Sequence, residues 1–348
     1  MLRQTLWWRI SAMLITAVSG ILLVITATSY ALEQLVAPEQ SQKIEKIELN
    51  VVDSEQYTGK ENILVRGTWG NKPGEFGLIV PSGEGALEGP MSFAAGGTGE
   101  IYILDQVNSR IQVFGPDGNL RDVIPIEQRT AEAVAVDAAG DVYVCDLWVQ
   151  REIALYRDGK LLEKENLSPS LSAPREVFAV GKDIFIEDDL TGRAYLVASE
   201  GRILSPSEQG KESWPGRLAK ENAHYLCASQ EENQGVSILD NTGKKRTISI
   251  QSNEAAFLDS FWLDADGNAY LIYQMLKESP PDVFKSRFSV VKVNISSGKA
   301  LQMDVPTGLF TPSRRPFVIT EEGSIYQMQT SNEGLKVVRW TMPGGGGE

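Results

Sequence analysis

Histidine is almost absent from this 348-residue chain, which carries only His224. A lone imidazole excludes metal centres built from several histidines, and it leaves no partner for a Ser-His or paired-His hydrolytic arrangement. His224 directly precedes Tyr225 in an alternating apolar run, where a structural side chain is the expected reading. Cysteine is nearly as scarce, with Cys145 and Cys227 alone. Basic residues are in deficit, 33 Lys and Arg against 46 Asp and Glu for a net charge of -13. That balance argues against a nucleic-acid partner, because phosphate binding needs a basic surface that releases counterions. Amphipathic helical periodicity is missing after residue 60, and long apolar runs are missing everywhere but at the start of the chain.

The exception is ISAMLITAVSGILLVITATSYAL, residues 10–32, which has no charged side chain. As a helix rising about 1.5 Å per residue it would cross roughly 30 Å of hydrocarbon. Arg3, Arg9 and the Trp7-Trp8 pair lie on one flank, and Glu33 is the first charge on the other. The positive-inside rule then places residues 1–9 in the cytoplasm and everything beyond residue 32 outside it. Ser29-Tyr30-Ala31 loosely fits a small-x-small cleavage site, but the apolar run exceeds the roughly 7–15 residues of a signal core. The segment is therefore read as a retained, single-pass signal anchor in the cell membrane.

The remainder is a repeat. GEIYILDQVNSRIQVFGPDGNL (99–120) recurs as GDVYVCDLWVQREIALYRDGK (140–160) and KDIFIEDDLTGRAYLVASEGR (182–202). Asp105, Asp146 and Asp188 stand 41 and 42 residues apart, and Gly159, Gly201 and Gly243 are each 42 apart. Weaker copies follow at 223–244, 267–299 and 323–340, making six units of short alternating runs rich in Val, Ile, Tyr and Phe, divided by Gly, Asp and Asn turns. Strand-only self-similarity at about 40–45 residues is the signature of propeller blades. The sequence thus predicts an all-β, six-bladed β-propeller over 61–341, preceded by one transmembrane helix at 10–32 and a stalk at 33–60 with a strand near 44–52, and followed by a flexible tail at 342–348. NILVRGTW (62–69) has no partner in its own unit and is expected to pair into the last blade, closing the ring.

GTWGNKPGEFG (67–77), GPMSFA (89–94) and GEIYILDQVNSRIQVF (99–114) together resemble the NHL repeat, whose pattern runs G-x-G-x-F, a Pro, an apolar strand, G-x-[IV]-Y-[IV]-x-D and N-x-R-[IV]-x-V-F. Unit 1 carries nearly every landmark, with GLIVPSGEGALE inserted before Gly89; units 2 and 3 keep the aromatic and the Asp; the last three keep the aromatic and turns. The resemblance implies a propeller and no particular reaction, since that fold serves enzymes and passive platforms alike.

Three features are candidates for chemistry. Asp105, Asp146 and Asp188 recur in register, which suits carboxylates holding the turn after a strand better than it suits a metal. Cys145 and Cys227 each follow a Tyr by two residues, so they occupy equivalent places two blades apart, beyond the about 7 Å Cα limit for a disulfide, and should be buried free thiols. The third feature is the start of each innermost strand, which faces the channel mouth and reads Met91, Glu132, Glu176, Gly216 with Arg217, Asp259 and Arg315 around the ring. Glu132, Glu176, Arg217, Asp259 and Arg315 form the candidate ligand site, and Trp148 and Trp214 are candidate aromatics on a propeller face. The chain is accordingly read as a binding or scaffolding module for a protein, peptide or envelope glycan, in preference to an enzyme, with no catalytic residue and no cofactor assigned. The alternative is a calcium-dependent hydrolase or lactonase, implied by likeness to gluconolactonase and paraoxonase propellers, with Glu132, Glu176 and Asp259 as oxygen ligands.

Overall fold

The computed structural model describes residues 45–50, 59–221, 224–231, 235–239, 244–252, 254–279 and 283–343. The expected cytoplasmic segment, the transmembrane helix, most of the stalk and all but the first two residues of the tail lie outside the described residues. Among the described residues no helix is long and apolar enough to cross a membrane.

Alternation with period two places successive side chains on opposite faces of a strand, and in this chain both faces are apolar. Each sheet therefore needs a neighbour on either side, and six antiparallel sheets supply them. Counting from the inner strand outward, blade 1 is Ser92–Ala95, Ile101–Asp105, Arg110–Phe114 and Leu120–Pro125. Blade 2 is Ala133–Val136, Val142–Asp146, Glu152–Arg157 and Lys160–Asn166. Blade 3 is Pro174–Val180, Asp183–Asp188, Arg193–Ser199 and Arg202–Ile203. Blade 4 is Arg217–Glu221, His224–Glu231, Gly235–Leu239 and Lys245–Gln251. Blade 5 is Ala255–Leu263, Asn268–Ser279, Val283–Asn294 and Ala300–Pro306. Blade 6 is Phe317–Ile319, Ile325–Ser331 and Gly334–Thr341, completed by Lys60–Thr68 as its outer strand. The six-bladed, all-β reading is what the chain adopts.

The core follows from that arrangement, with one apolar cluster at every blade junction. Leu104 and Val134 meet between blades 1 and 2, Tyr143 and Ile184 between 2 and 3, and Phe178 and Leu218 between 3 and 4. Ile238 and Leu271 meet between blades 4 and 5, Ile272 and Phe317 between 5 and 6, and Val337 and Phe93 between 6 and 1. Cys145 is a free thiol sealed in the second of these clusters, where burial pushes its pKa up and leaves it a small apolar residue.

Closure runs as the orphan strand suggests: Lys60–Thr68 pairs antiparallel with Gly334–Thr341, so the last sheet joins both ends of the ring. The strand near 44–52 is Glu45–Asn50, and it runs parallel to Lys245–Gln251 as a fifth strand on the outer edge of blade 4. Part of the expected stalk is therefore built into the propeller, because Leu49 and its neighbour Ile47 extend the apolar cluster between blades 4 and 5.

The recurrent aspartates tie turns. Asp105, fully buried, accepts hydrogen bonds from Gly77 N at 2.9 Å, Asn108 Nδ2 at 2.9 Å and Arg110 Nε at 2.8 Å. Arg110 in turn donates to the carbonyls of Asn71, Lys72 and Glu75. The Asn and Arg of the first repeat thus fasten the GTWGNKPGEFG segment to blade 1. Asp146 accepts from Val149 N and Gln150 N, and Asp188 from Ala173 N and Thr191 N. These carboxylates are taken up by backbone N–H groups and nearby side-chain donors, which is the structural role expected of them.

Candidate functional site

Inner strands begin on one face of the ring and run to the other, so the loops leading into them and the turns joining second to third strands share the mouth face. Two local irregularities aim side chains into it. Register shifts in the inner strands leave Arg175 of blade 3 and Asp259 of blade 5 as bulge residues without a direct cross-strand partner. A bulge re-aims its side chain and bends the strand. The guanidinium of Arg175 crosses the mouth to donate to the backbone carbonyl of Asp259 at 2.7 Å.

Below these lies a buried cluster of four charges. Glu176 stands directly across from Glu187 on the adjacent strand, an arrangement of like charges that is unfavourable alone. Arg217 of blade 4 reaches both carboxylates, hydrogen bonding Glu176 closely and Glu187 at 3.2 Å. Arg315 of blade 6 pairs with the other oxygen of Glu176 at 2.5 Å and donates to the carbonyls of Val134 and Val177. The two guanidiniums share the indole of Trp262, their Cζ atoms 4.4 and 5.7 Å from its centroid. Burial pushes the Glu176 carboxyl up, but the charges of Arg217 and Arg315 outweigh it and hold the pKa below the usual range. For Arg315 burial prevails over Glu176, and its pKa is lowered.

The other two acids are less well matched. Glu132 meets Arg314 at 3.6 Å, and its Oε2 is buried without a hydrogen-bond partner. Burial raises the pKa of Glu132 against the pull of Arg314. Burial likewise raises Asp259, against a hydrogen bond from Ser260 and with the charge of Glu176 adding to the rise. A cavity of about 180 Å³ opens between these groups, lined by Arg175, Asp259, Ser260, Arg314 and Arg315 among others.

Of the five mouth residues picked from sequence, Glu176, Arg217 and Arg315 join one buried network, Asp259 lines the cavity, and Glu132 sits beside it on Arg314. Sequence reasoning missed Glu187, Arg175 and Arg314. The register of Glu187 opposite Glu176 signals the first, while the two arginines are immediate neighbours of chosen positions, Arg175 at a bulge and Arg314 in the loop before the inner strand of blade 6. As a calcium ligand Glu176 would have to give up two guanidiniums, one on each oxygen. Among the described residues no group of three or more His, Cys, Asp or Glu is gathered as a metal site.

Trp148 is 46% exposed on the mouth face, with the guanidinium of Arg314 5.9 Å from its centroid. Trp214 is half-buried and packs edge-on against Phe185 at 5.4 Å, so its ring serves the junction of blades 3 and 4. Large apolar side chains are exposed in the loops and at an inner-strand start of the mouth face. Leu190, beside the Asp189 that pairs with Arg175, is 74% exposed, and Phe257, two residues before Asp259, is 52% exposed. Val80, Val149 and Phe310 are exposed in other loops of that face. Ile79 and Leu309 are exposed in these loops as well, Leu239 on the third strand of blade 4, and Ile63, Leu161, Leu162 and Leu301 on outer strands.

No protein-family model matches the chain, so its likeness to NHL repeats stands on the motif residues alone. No curated protein matches it either. Solved structures that resemble it include a protein of unknown function from Bacteroides thetaiotaomicron, 14% identical over 82% of this chain and 77% of that one, with a TM-score of 0.49. A putative exported protein from Bacteroides fragilis is 8% identical over 86% and 99%, at 0.46. Virginiamycin B lyase from Staphylococcus aureus is 11% identical over 73% and 95%, at 0.44. The fold assignment rests on the six sheets and their closure, and these likenesses say nothing about the chemistry of the mouth.

Proposed function

We propose that this protein is a membrane-anchored, extracytoplasmic propeller that docks a polypeptide partner on its channel-mouth face. One observation carries the reading: exposed Trp148, Val149, Leu190 and Phe310 lie in loops of one face, and exposed Phe257 lies near the start of an inner strand at that face, around the charged mouth. Apolar side chains rimmed by polar groups are the composition of a protein-binding surface. The anchor at residues 10–32 and the orientation set by Arg3 and Arg9 supply the compartment, and both rest on sequence.

Photo-crosslinking in cells tests this. A crosslinking amino acid at Leu190 should capture the same identifiable envelope protein reproducibly, and one at Ala139, on the exposed turn of the opposite face, should not. Equal capture from both positions, or none from Leu190, refutes the docking reading. The hydrolase alternative has a separate check: calcium should raise the melting temperature of the wild type and fail to do so in Glu132→Ala.

A further inference from the structure

Resting on the docking reading, we infer that the mouth cavity between Arg175 and Arg314 receives the C-terminal carboxylate of the docked polypeptide, while the surrounding apolar side chains take the residues that precede it. The buried cluster of Glu176, Glu187, Arg217 and Arg315 is neutral in itself, two acids against two arginines. The charge an arriving ligand meets is therefore set by the groups around that cluster, Arg175 and Arg314 together with Asp189, Glu132 and Asp259. The side chains of the two arginines are 31% and 30% exposed, and each holds its mouth acid loosely, Arg175 to Asp189 at 3.4 Å and Arg314 to Glu132 at 3.6 Å.

Both guanidiniums are nonetheless held in place. Arg175 donates to the carbonyl of Asp259, Arg314 donates to the carbonyl of Arg175 at 3.3 Å, and the indole of Trp148 lies against Arg314. A guanidinium has five N–H donors in a fixed fork. Most of those on these two side chains are uncommitted, and a fixed fork with spare donors suits a carboxylate. A cation is disfavoured because three guanidiniums, those of Arg175, Arg314 and Arg315, line the cavity against two carboxylates, those of Glu176 and Asp259. About 180 Å³ accommodates a carboxylate and a few carbons but no length of chain, so a terminus fits better than a strand passing through. The aliphatic Val149 and Leu190, exposed on the same face as Phe257, favour peptide side chains over sugars, which need flat aromatic platforms.

The test uses the full chain in detergent micelles and fluorescence anisotropy with labelled hexapeptides that end in two apolar residues, each made as the free acid and as the C-terminal amide. The free acids should bind about tenfold or more tightly than the amides, and Arg175→Gln and Arg314→Gln should each weaken the acids by about tenfold without weakening the amides. The acid-to-amide comparison on the wild type stands even where a variant folds poorly. Equal binding of acid and amide overturns the inference, as do absence of binding, amidated peptides with an internal Asp or Glu binding as well as the free acids, or preferential binding of uronic-acid oligosaccharides. If Leu190 crosslinks an envelope protein while acid and amide bind alike, the docking reading survives and the carboxylate assignment fails. If neither result is obtained, both fail.

Discussion

Replacing Glu176 by Gln removes one charge from the centre of the propeller and changes almost nothing in shape. What remains is Arg217 with Glu187 at 3.2 Å and Arg315 with the carbonyls of Val134 and Val177. The Cζ atoms of the two arginines lie 4.4 and 5.7 Å from one indole centroid, so they are no more than about 10 Å apart. At an effective dielectric constant of about 20, two unit charges at that limit repel by about 1.7 kcal/mol. Loss of attraction to Glu176 comes on top, and breaking a buried pair from one side costs about 3–5 kcal/mol in all. For a domain of this size that corresponds to a melting temperature lower by on the order of 10 °C.

Differential scanning calorimetry of the full chain at pH 7 measures it, and pH supplies a second readout. The folded pKa of Glu176 is depressed, so its stabilisation is present above the unfolded carboxylate value of about 4.3 and is lost as pH falls through the folded pKa. The gap between wild type and Glu176→Gln should therefore narrow on acidification below about pH 4. A melting temperature within about 2 °C of wild type at pH 7 would refute the buried-network account.

Asp259 should behave in the opposite sense. Its folded pKa is raised, so its carboxylate costs stability once charged, and Asp259→Asn should be neutral to stabilising at pH 8, with the benefit shrinking toward pH 4; a clear destabilisation in urea titration at pH 8 counts against the assignment. Asp105→Ala leaves the charge of Arg110 without its carboxylate and the N–H of Gly77 without its acceptor in a sealed site and should cost about 3–5 kcal/mol, read as a shift in urea midpoint; a loss under about 1 kcal/mol would show that the turn does not depend on it. Gly118 has φ of +78°, and a Cβ there would come 2.0 Å from the carbonyl oxygen of Leu64 on the closing strand. Gly118→Ala should therefore cost about 2 kcal/mol or more and speed hydrogen exchange selectively in 60–68, and unchanged exchange there would refute the contact.

The division between what was legible in the sequence and what was not follows from the range of the forces involved. Period-two alternation and the 42-residue spacing are local consequences of a sheet buried on both faces, so GEIYILDQVNSRIQVFGPDGNL and its copies announce blades without any knowledge of tertiary contacts. Asp105 was legible for the same reason, since its partners Asn108 and Arg110 are three and five residues away. The mouth residues were found where the copies disagree, and three of the five converge in one network. Their pairing was not legible, because Glu176, Arg217 and Arg315 come from three blades and meet only when the ring closes. Arg175 was invisible to alignment for a sharper reason. The bulge at Arg175 shifts the register by one residue, and such a slip exchanges the side chains that face the mouth with those that face away. A reading that treats every inner strand as regular selects Glu176 and Arg315, the neutralised interior of the site. The arginines one position earlier, still about a third exposed, are the ones left to meet a ligand.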